Sequence, residues 1–450
     1  MADTKGGFPF WAVRFDEAGA PSGGGADALI AEVAGQNLTD VFLFSHGWNN
    51  NASYALSLYE RVFGQMRAVI EDPRFAAKKT RSFAIGTVGI LWPSMKWADD
   101  GTDKTDDEAP AAATPGAGDT SDRALMLSLK SMYNRPDQQD AIERMADLLD
   151  RRPEDEASLE AFQSQMKRLA GESVDPPASA TAAAPVLDED DAARVLFQYP
   201  AREVFSSFDG EEAPRADDFE GGAAGFNPFH SIWDGAKEAA RQLTYWTMKR
   251  RAGAVGRHGL GPLIDRLHAA AAPGLRVHLM GHSFGARLVS FALAGLTAET
   301  SPVKSLMLIQ GAFSHFAFSP TLPFDPSRSG VLAGMQARVD GPLLVTYSVY
   351  DLAVGNFYPL ASLASQDDAS AAEDLLYRWQ GMGHDGAQQV GAALPLLGAP
   401  FDTSYHFLPG RFYNLEANGV IKTGDPPSGA HGDIVHPQIA WASLSAAGIV

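Results

Sequence analysis

Cysteine is absent from all 450 residues, which excludes disulfides, thiolate zinc sites and cysteine nucleophiles together and leaves the redox compartment open. Basic charge is scarce: 36 Lys and Arg stand against 55 Asp and Glu, a formal net charge of −19. A surface of that sign repels phosphate backbones and anionic lipid, so no nucleic-acid partner is expected, and its main effect is solubility. No apolar run reaches membrane-spanning length, and no transmembrane segment is expected. The start, Met-Ala-Asp-Thr-Lys-Gly-Gly, carries no apolar core behind a basic segment, so no secretory signal is read there and cytoplasmic location is the expectation. What the chain does have is 45% hydrophobic and 10% aromatic residues, enough to bury a core. The length fits one large domain with insertions, or two to three domains.

The chain is organised around the stretch from Arg276 to Ala294. An apolar run enters Gly281-His282-Ser283-Phe284-Gly285 and passes straight into apolar residues at helical spacing, the pattern of a strand, a sharp turn and a helix. Ser283 at the tip is the expected nucleophile. Gly281 and Gly285 leave room for strand and helix to approach where a side chain would collide with the facing backbone.

Around it the chain alternates strand and helix. Phe10–Asp16 reads as an opening strand and Ala26–Gly35 as a short helix; Asp40–Ser45 is a buried strand that breaks at His46-Gly47. Tyr54–Ile70 has helical spacing and Ser82–Pro93 is a further apolar strand, so strand, helix and strand predict a parallel sheet. From Trp97 the pattern changes. Asp99–Asp122 and Ser173–Asp191 are acidic and rich in small residues and proline, and are expected to be mobile; Ala124–Met132, Ala141–Leu149 and Leu159–Leu169 read as helices. Residues 97–229 are therefore an insertion, either a cap over the strand ends or a partner-binding appendage. As a cap, its apolar faces, including Leu125, Met126, Leu129, Met132, Met145, Leu148 and Leu149, would line an acyl pocket. Helices at Ile232–Met248 and Gly261–Ala272 lead to the strand-turn-helix elbow around Ser283, and strands follow at Val303–Gly311, Leu343–Asp351 and Arg411–Asn418. The expectation is an α/β protein with a mostly parallel central sheet flanked by helices, divided as 1–96, 97–229 and 230–450.

A serine nucleophile needs a base, and the base an orienting carboxylate. Asp351 follows an apolar strand, so its carboxylate would emerge at the sheet edge that carries the elbow. Four histidines lie downstream: His384, His406, His431 and His436. His431, with small flanking residues, is preferred as base over His436, which precedes Pro437. Asp433 could pair with His431 toward a metal, but two ligands make no site, and no metal is expected. A tetrahedral oxyanion needs backbone N–H donors, here from Phe284 after the nucleophile and from Trp48 in the loop after Asp40–Ser45. His46, Gly47 and His282, beside these groups, are the expected substrate contacts. Arg287 reads as packing or surface.

Gly281-His282-Ser283-Phe284-Gly285, the upstream His46-Gly47-Trp48-Asn49-Asn50, Asp351 after a late strand and His431 near the C-terminus together resemble the α/β-hydrolase superfamily, in its broad lipase and esterase-like group. The resemblance covers about Phe10 to Ile90 and Ser231 to Val450, not the insertion, and the bulky Trp48 departs from the commoner oxyanion loops. It implies an α/β-hydrolase fold with Ser283 as nucleophile, His431 as base, Asp351 as orienter and Trp48 and Phe284 as oxyanion donors. It also implies a cofactor-free serine hydrolase acting on a small-molecule or lipid-like carboxylic ester. The alternatives are amide, thioester or acyl-transfer chemistry on the same residues, or a non-catalytic protein of this fold that binds a ligand or partner through the insertion.

Overall fold

The computed structural model describes residues 3–94 except 34 and 49, 122–171 except 134, 197, 199–208, 228–355, 377–378, 380–425 and 428–450. Its centre is a nine-stranded sheet: β1 (Asp3–Lys5), β2 (Phe8–Phe15), β3 (Pro21–Ser22), β4 (Asp40–Ser45), β5 (Ile85–Leu91), β6 (Arg276–His282), β7 (Val303–Ile309), β8 (Leu343–Tyr347) and β9 (Phe412–Glu416). The spatial order is β1-β2-β5-β4-β6-β7-β8-β9, with β3 beside β2. From β2 to β9 every neighbour is parallel, and only β1 and β3 run antiparallel. The mostly parallel α/β architecture expected from the sequence is present. β4 and β5 are buried at every position, as strands covered on both faces must be.

Period-two alternation sorts the side chains of β4 onto the two faces. Val41 and Leu43 join a core with α1 (Gly25–Val33), whereas Phe42 and Phe44 join another with Tyr59 and Phe63 of α2 (Ala52–Glu71). α2 follows β4 onto one face. The helix after β6 packs with α1's core on the other face, so the chain leaves two adjacent strands in opposite directions. Such a reversal opens a crevice at the carboxyl ends of the strands.

The acidic tracts expected to be mobile lie outside the described residues, except Asp122, which opens α3 (Asp122–Ser128). α4 (Pro136–Arg151), α5 (Glu156–Gly171) and α6 (Ala201–Ser206) follow, then α7 (Pro228–Ala254), which continues through a π-helical segment, Val255–Leu260, into α8 (Gly261–Ala270). Where two separate helices were expected there is one helical run, and Pro262 falls just where its π-helical segment gives way to α8.

The expected acyl-lining faces of the insertion are not free. Leu125, Met126, Leu129, Met145 and Leu149 are fully buried in the same core as Ile232, Trp233 and Leu243 of α7. Trp233 Nε1 donates to the Pro153 carbonyl at 3.0 Å, Tyr133 and Thr247 hydroxyls bond at 2.8 Å, and Phe162 and Phe197 pack edge-on against Trp233 and Trp246. The amphipathic helices of the insertion close on the apolar face of α7 rather than stand open. Among the described residues no helix is long and apolar enough to cross a membrane.

Candidate active site

β6 delivers Ser283 to the carboxyl end of the sheet, and α9 (Phe284–Ala294) starts at the next residue. Ser283 has φ 57° and ψ −123°, a conformation that costs a residue with a side chain about 1–3 kcal/mol and persists only where neighbours over-determine it. They do: its N–H donates to Ile309 O at 3.1 Å, and its carbonyl accepts from Ala286 and Ala312. The glycine spacing has the expected cause. A Cβ on Gly281 would stand 2.3 Å from Gly285 O, and one on Gly285 would stand 2.1 Å from Ser45 O.

Ser283 Oγ donates to His431 Nε2 at 2.8 Å, and His431 Nδ1 donates to Asp351 Oδ2 at 2.8 Å. Acceptance by the carboxylate puts the imidazole proton on Nδ1 and leaves Nε2 as the acceptor facing the serine. Asp351 is fully buried, Ser283 nearly so, and the His431 ring keeps an exposed edge. Two loops far apart in sequence make this pairing. β8 ends at Tyr347, so Asp351 lies in the turn beyond the sheet. Gly429 bridges to Asp351, Ala430 N–H donates to Tyr350 O at 2.8 Å, and Ala353 N–H donates to Ser428 O at 3.2 Å. His431 is thereby hung on the loop of its own carboxylate. His436 faces elsewhere: its Nε2 donates to Asp433 Oδ1 at 2.7 Å. Asp433 is not a partner of His431, since its other oxygen accepts from the N–H groups of Lys422 and Thr423.

The backbone N–H groups of Trp48 and Phe284 take no partner among the described residues. Phe284 opens α9, where the first N–H groups have no intrahelical acceptor. Gly47 presses on the serine, its Cβ position 3.1 Å from Ser283 Oγ. The Trp48 ring meets Tyr245 of α7 edge-on and lies 6.1 Å from the ring of Phe284, so α7 contributes Tyr245 to an aromatic cluster beside these donors.

Two expected substrate contacts have other roles. The His46 side chain is enclosed: its ring stacks on Trp92 at 5.6 Å, its Nδ1 donates to Gly47 O at 2.8 Å, and 1% of the residue is exposed. Burial holds its pKa down to about 4, against the opposing pull of the Gly47 carbonyl, so it shapes the loop as a neutral ring. His282 Nε2 donates to the His431 carbonyl at 2.9 Å, and the two rings lie 4.8 Å apart. Burial first, then the neighbouring His431, hold its pKa at about 3, so it too is neutral and steadies the turn that carries His431. Arg287 is packing rather than surface, its Nε donating to Lys249 O at 2.8 Å.

One contact was not anticipated from the sequence. Gln310, directly after β7, donates from Nε2 to Asp351 Oδ2 at 2.8 Å. The only local signal is a polar residue closing the apolar run Val303–Ile309. Among the described residues no three His, Asp or Glu side chains converge as a metal site. No family model, curated protein or solved structure matches the chain.

Proposed function

We propose that the chain is a serine hydrolase of the α/β-hydrolase fold, cleaving a carboxylic ester through an acyl-enzyme on Ser283. The observation that carries this reading is the unbroken file from Ser283 Oγ to His431 to Asp351, with both bonds at 2.8 Å. The chain order Ser, Asp, His and the serine at a strained strand-to-helix turn agree with it.

In the first step Ser283 Oγ attacks the ester carbonyl carbon while its proton passes to His431 Nε2. Asp351 holds the resulting imidazolium by the Nδ1 proton. The oxyanion accepts from the N–H groups of Trp48 and Phe284. Collapse expels the alkoxide, which takes the proton from His431, and a water activated by the same nitrogen releases the acid. Trp48, Tyr245 and Phe284 beside these donors favour an apolar acyl group. The reading is of a soluble, cytoplasmic enzyme needing no cofactor.

The test is labelling of the purified protein with a fluorophosphonate, which reacts with an activated serine. Labelling of the wild type and none of Ser283→Ala is expected; an unlabelled wild type defeats the reading.

A further inference from the structure

Gln310 has φ +46°, a left-handed value that costs a residue with a Cβ roughly 1–2 kcal/mol. Its side chain is fully buried and every polar atom is matched. The backbone N–H donates to Thr346 Oγ1 at 3.1 Å, and the Thr346 hydroxyl donates to Oε1 at 3.0 Å. Nε2 donates to Gly383 O at 2.9 Å as well as to Asp351. A backbone carbonyl can only accept, so the NH2 must face Gly383 and the amide oxygen must face the hydroxyl. The orientation is unique.

Asp351 Oδ2 thus accepts from both Gln310 Nε2 and His431 Nδ1, while Oδ1 accepts from Val354 N–H at 3.2 Å. These donors come from three segments and fix the plane of the carboxylate. Packing alone does not account for the glutamine, because a methionine or leucine would fill the volume without burying an amide, whose unmet desolvation costs about 1–3 kcal/mol.

We propose that Gln310 is a positioning residue for the reaction, locking the Asp351 carboxylate in the plane that aims His431 Nε2 at Ser283. This rests on the ester-hydrolase reading. Without the amide the carboxylate can turn about its Cβ–Cγ bond, carrying His431 with it; small displacements of a catalytic group lower rates on the order of tenfold to a hundredfold.

The experiment measures Ser283 labelling rate, and kcat and KM for a p-nitrophenyl ester, across acid to alkaline pH in the full chain and in Gln310→Met and Gln310→Glu. Gln310→Met is expected to lower kcat and labelling on the order of tenfold to a hundredfold with KM unchanged. Gln310→Glu can donate to Asp351 only while the new carboxyl is protonated, so its activity relative to wild type should rise toward acid pH, a change that loss of general packing would not produce. In acid the single proton of the Gln310→Glu carboxyl can restore the bond to Asp351, though not also the one to Gly383 O, so this variant carries the test by its pH profile even if Gln310→Met fails to fold. A Gln310→Glu profile superimposable on wild type overturns the proposal. An unlabelled wild type instead defeats the hydrolase reading itself.

Discussion

Gly47 and Ser283 touch across the ends of β4 and β6: a Cβ on Gly47 would stand 2.6 Å from Ser283 Cβ. Contacts between real side chains do not come that close, so any side chain at 47 displaces the loop or the serine. Gly47→Ala keeps the serine, histidine and aspartate, and is expected to slow fluorophosphonate labelling by about ten- to a hundredfold. An unchanged labelling rate in the folded variant would show that this loop does not shape the serine's surroundings.

Ser283→Ala should abolish labelling and lower ester turnover by several orders of magnitude, and His431→Ala should be as damaging, since residues acting as a unit fail together. Asp351→Asn keeps the shape but offers an amide that favours the wrong imidazole tautomer, for which a loss of about 10⁴ in kcat is the precedent in serine proteases. His436→Ala should change little, because its imidazole bonds Asp433 and not Ser283. Turnover of the four purified variants decides it; a severe loss in His436→Ala with none in His431→Ala would reverse the base assignment.

Acid should destabilise the fold well above the range where carboxylates titrate. His46, His278 and His282 are buried, and burial is the largest cause lowering the pKa of each, to about 4 for His46 and about 3 for His282. In the unfolded chain they titrate near about 6.5. Below that pH the unfolded state binds protons that the folded state refuses, so stability is full above about 6.5 and falls with acid, by up to about 1.4 kcal/mol per pH unit for each histidine. Asp40 acts lower down. Burial alone would raise its pKa, but bonds from His278, Arg81 and Thr39 outweigh burial and hold it well below the usual carboxylate range. Its contribution is present above about pH 4 and is lost only as pH falls through its folded value. Melting temperatures measured from neutral pH down to about 4 should fall steadily; a flat profile would refute the buried neutral histidines.

What could be read in the sequence was what depends on neighbours in the chain. The elbow at Ser283 is local: bare glycines on either side, apolar residues before and after. The alternation from Asp40 through Ile90 likewise carries the parallel sheet. The site beyond the elbow was legible only as candidates. Small flanking residues favoured His431, but the physical reason is the pairing of Gly429 with Asp351, two loops far apart in sequence. His46 looked like a substrate contact because it adjoins Gly47; what encloses it, Trp92 and Tyr59, comes from β5's end and α2. Gln310 was invisible in this role because its partners Thr346, Asp351 and Gly383 meet only when the sheet has formed.

The insertion should prove inseparable from the rest. A detachable cap would leave its parent folded when removed, with only acyl-chain preference altered. Here Trp233 and Trp246 of α7 are buried and pack against Phe162 and Phe197. Deleting residues 122–208 would uncover the faces of both tryptophans that Phe162 and Phe197 cover. At about 25 cal/mol per Å² and up to roughly 200 Å² for each ring system, that is at most about 5 kcal/mol apiece. A loss of up to about 10 kcal/mol is on the scale of the whole net stability of an ordinary domain, about 5–15 kcal/mol. Ion pairs lost with it, such as Lys237 Nζ to Asp122 Oδ1 at 2.8 Å, are partly exposed and count for less, about 1 kcal/mol or under. The deletion variant is therefore expected to be unfolded or aggregated by circular dichroism and size-exclusion chromatography. Trp233→Ala in the full chain should lower stability by about 3–5 kcal/mol without removing any group that touches Ser283. A deletion variant that folds and still reacts with a fluorophosphonate would show that α7 holds its place unaided, and would restore the insertion as an independent cap.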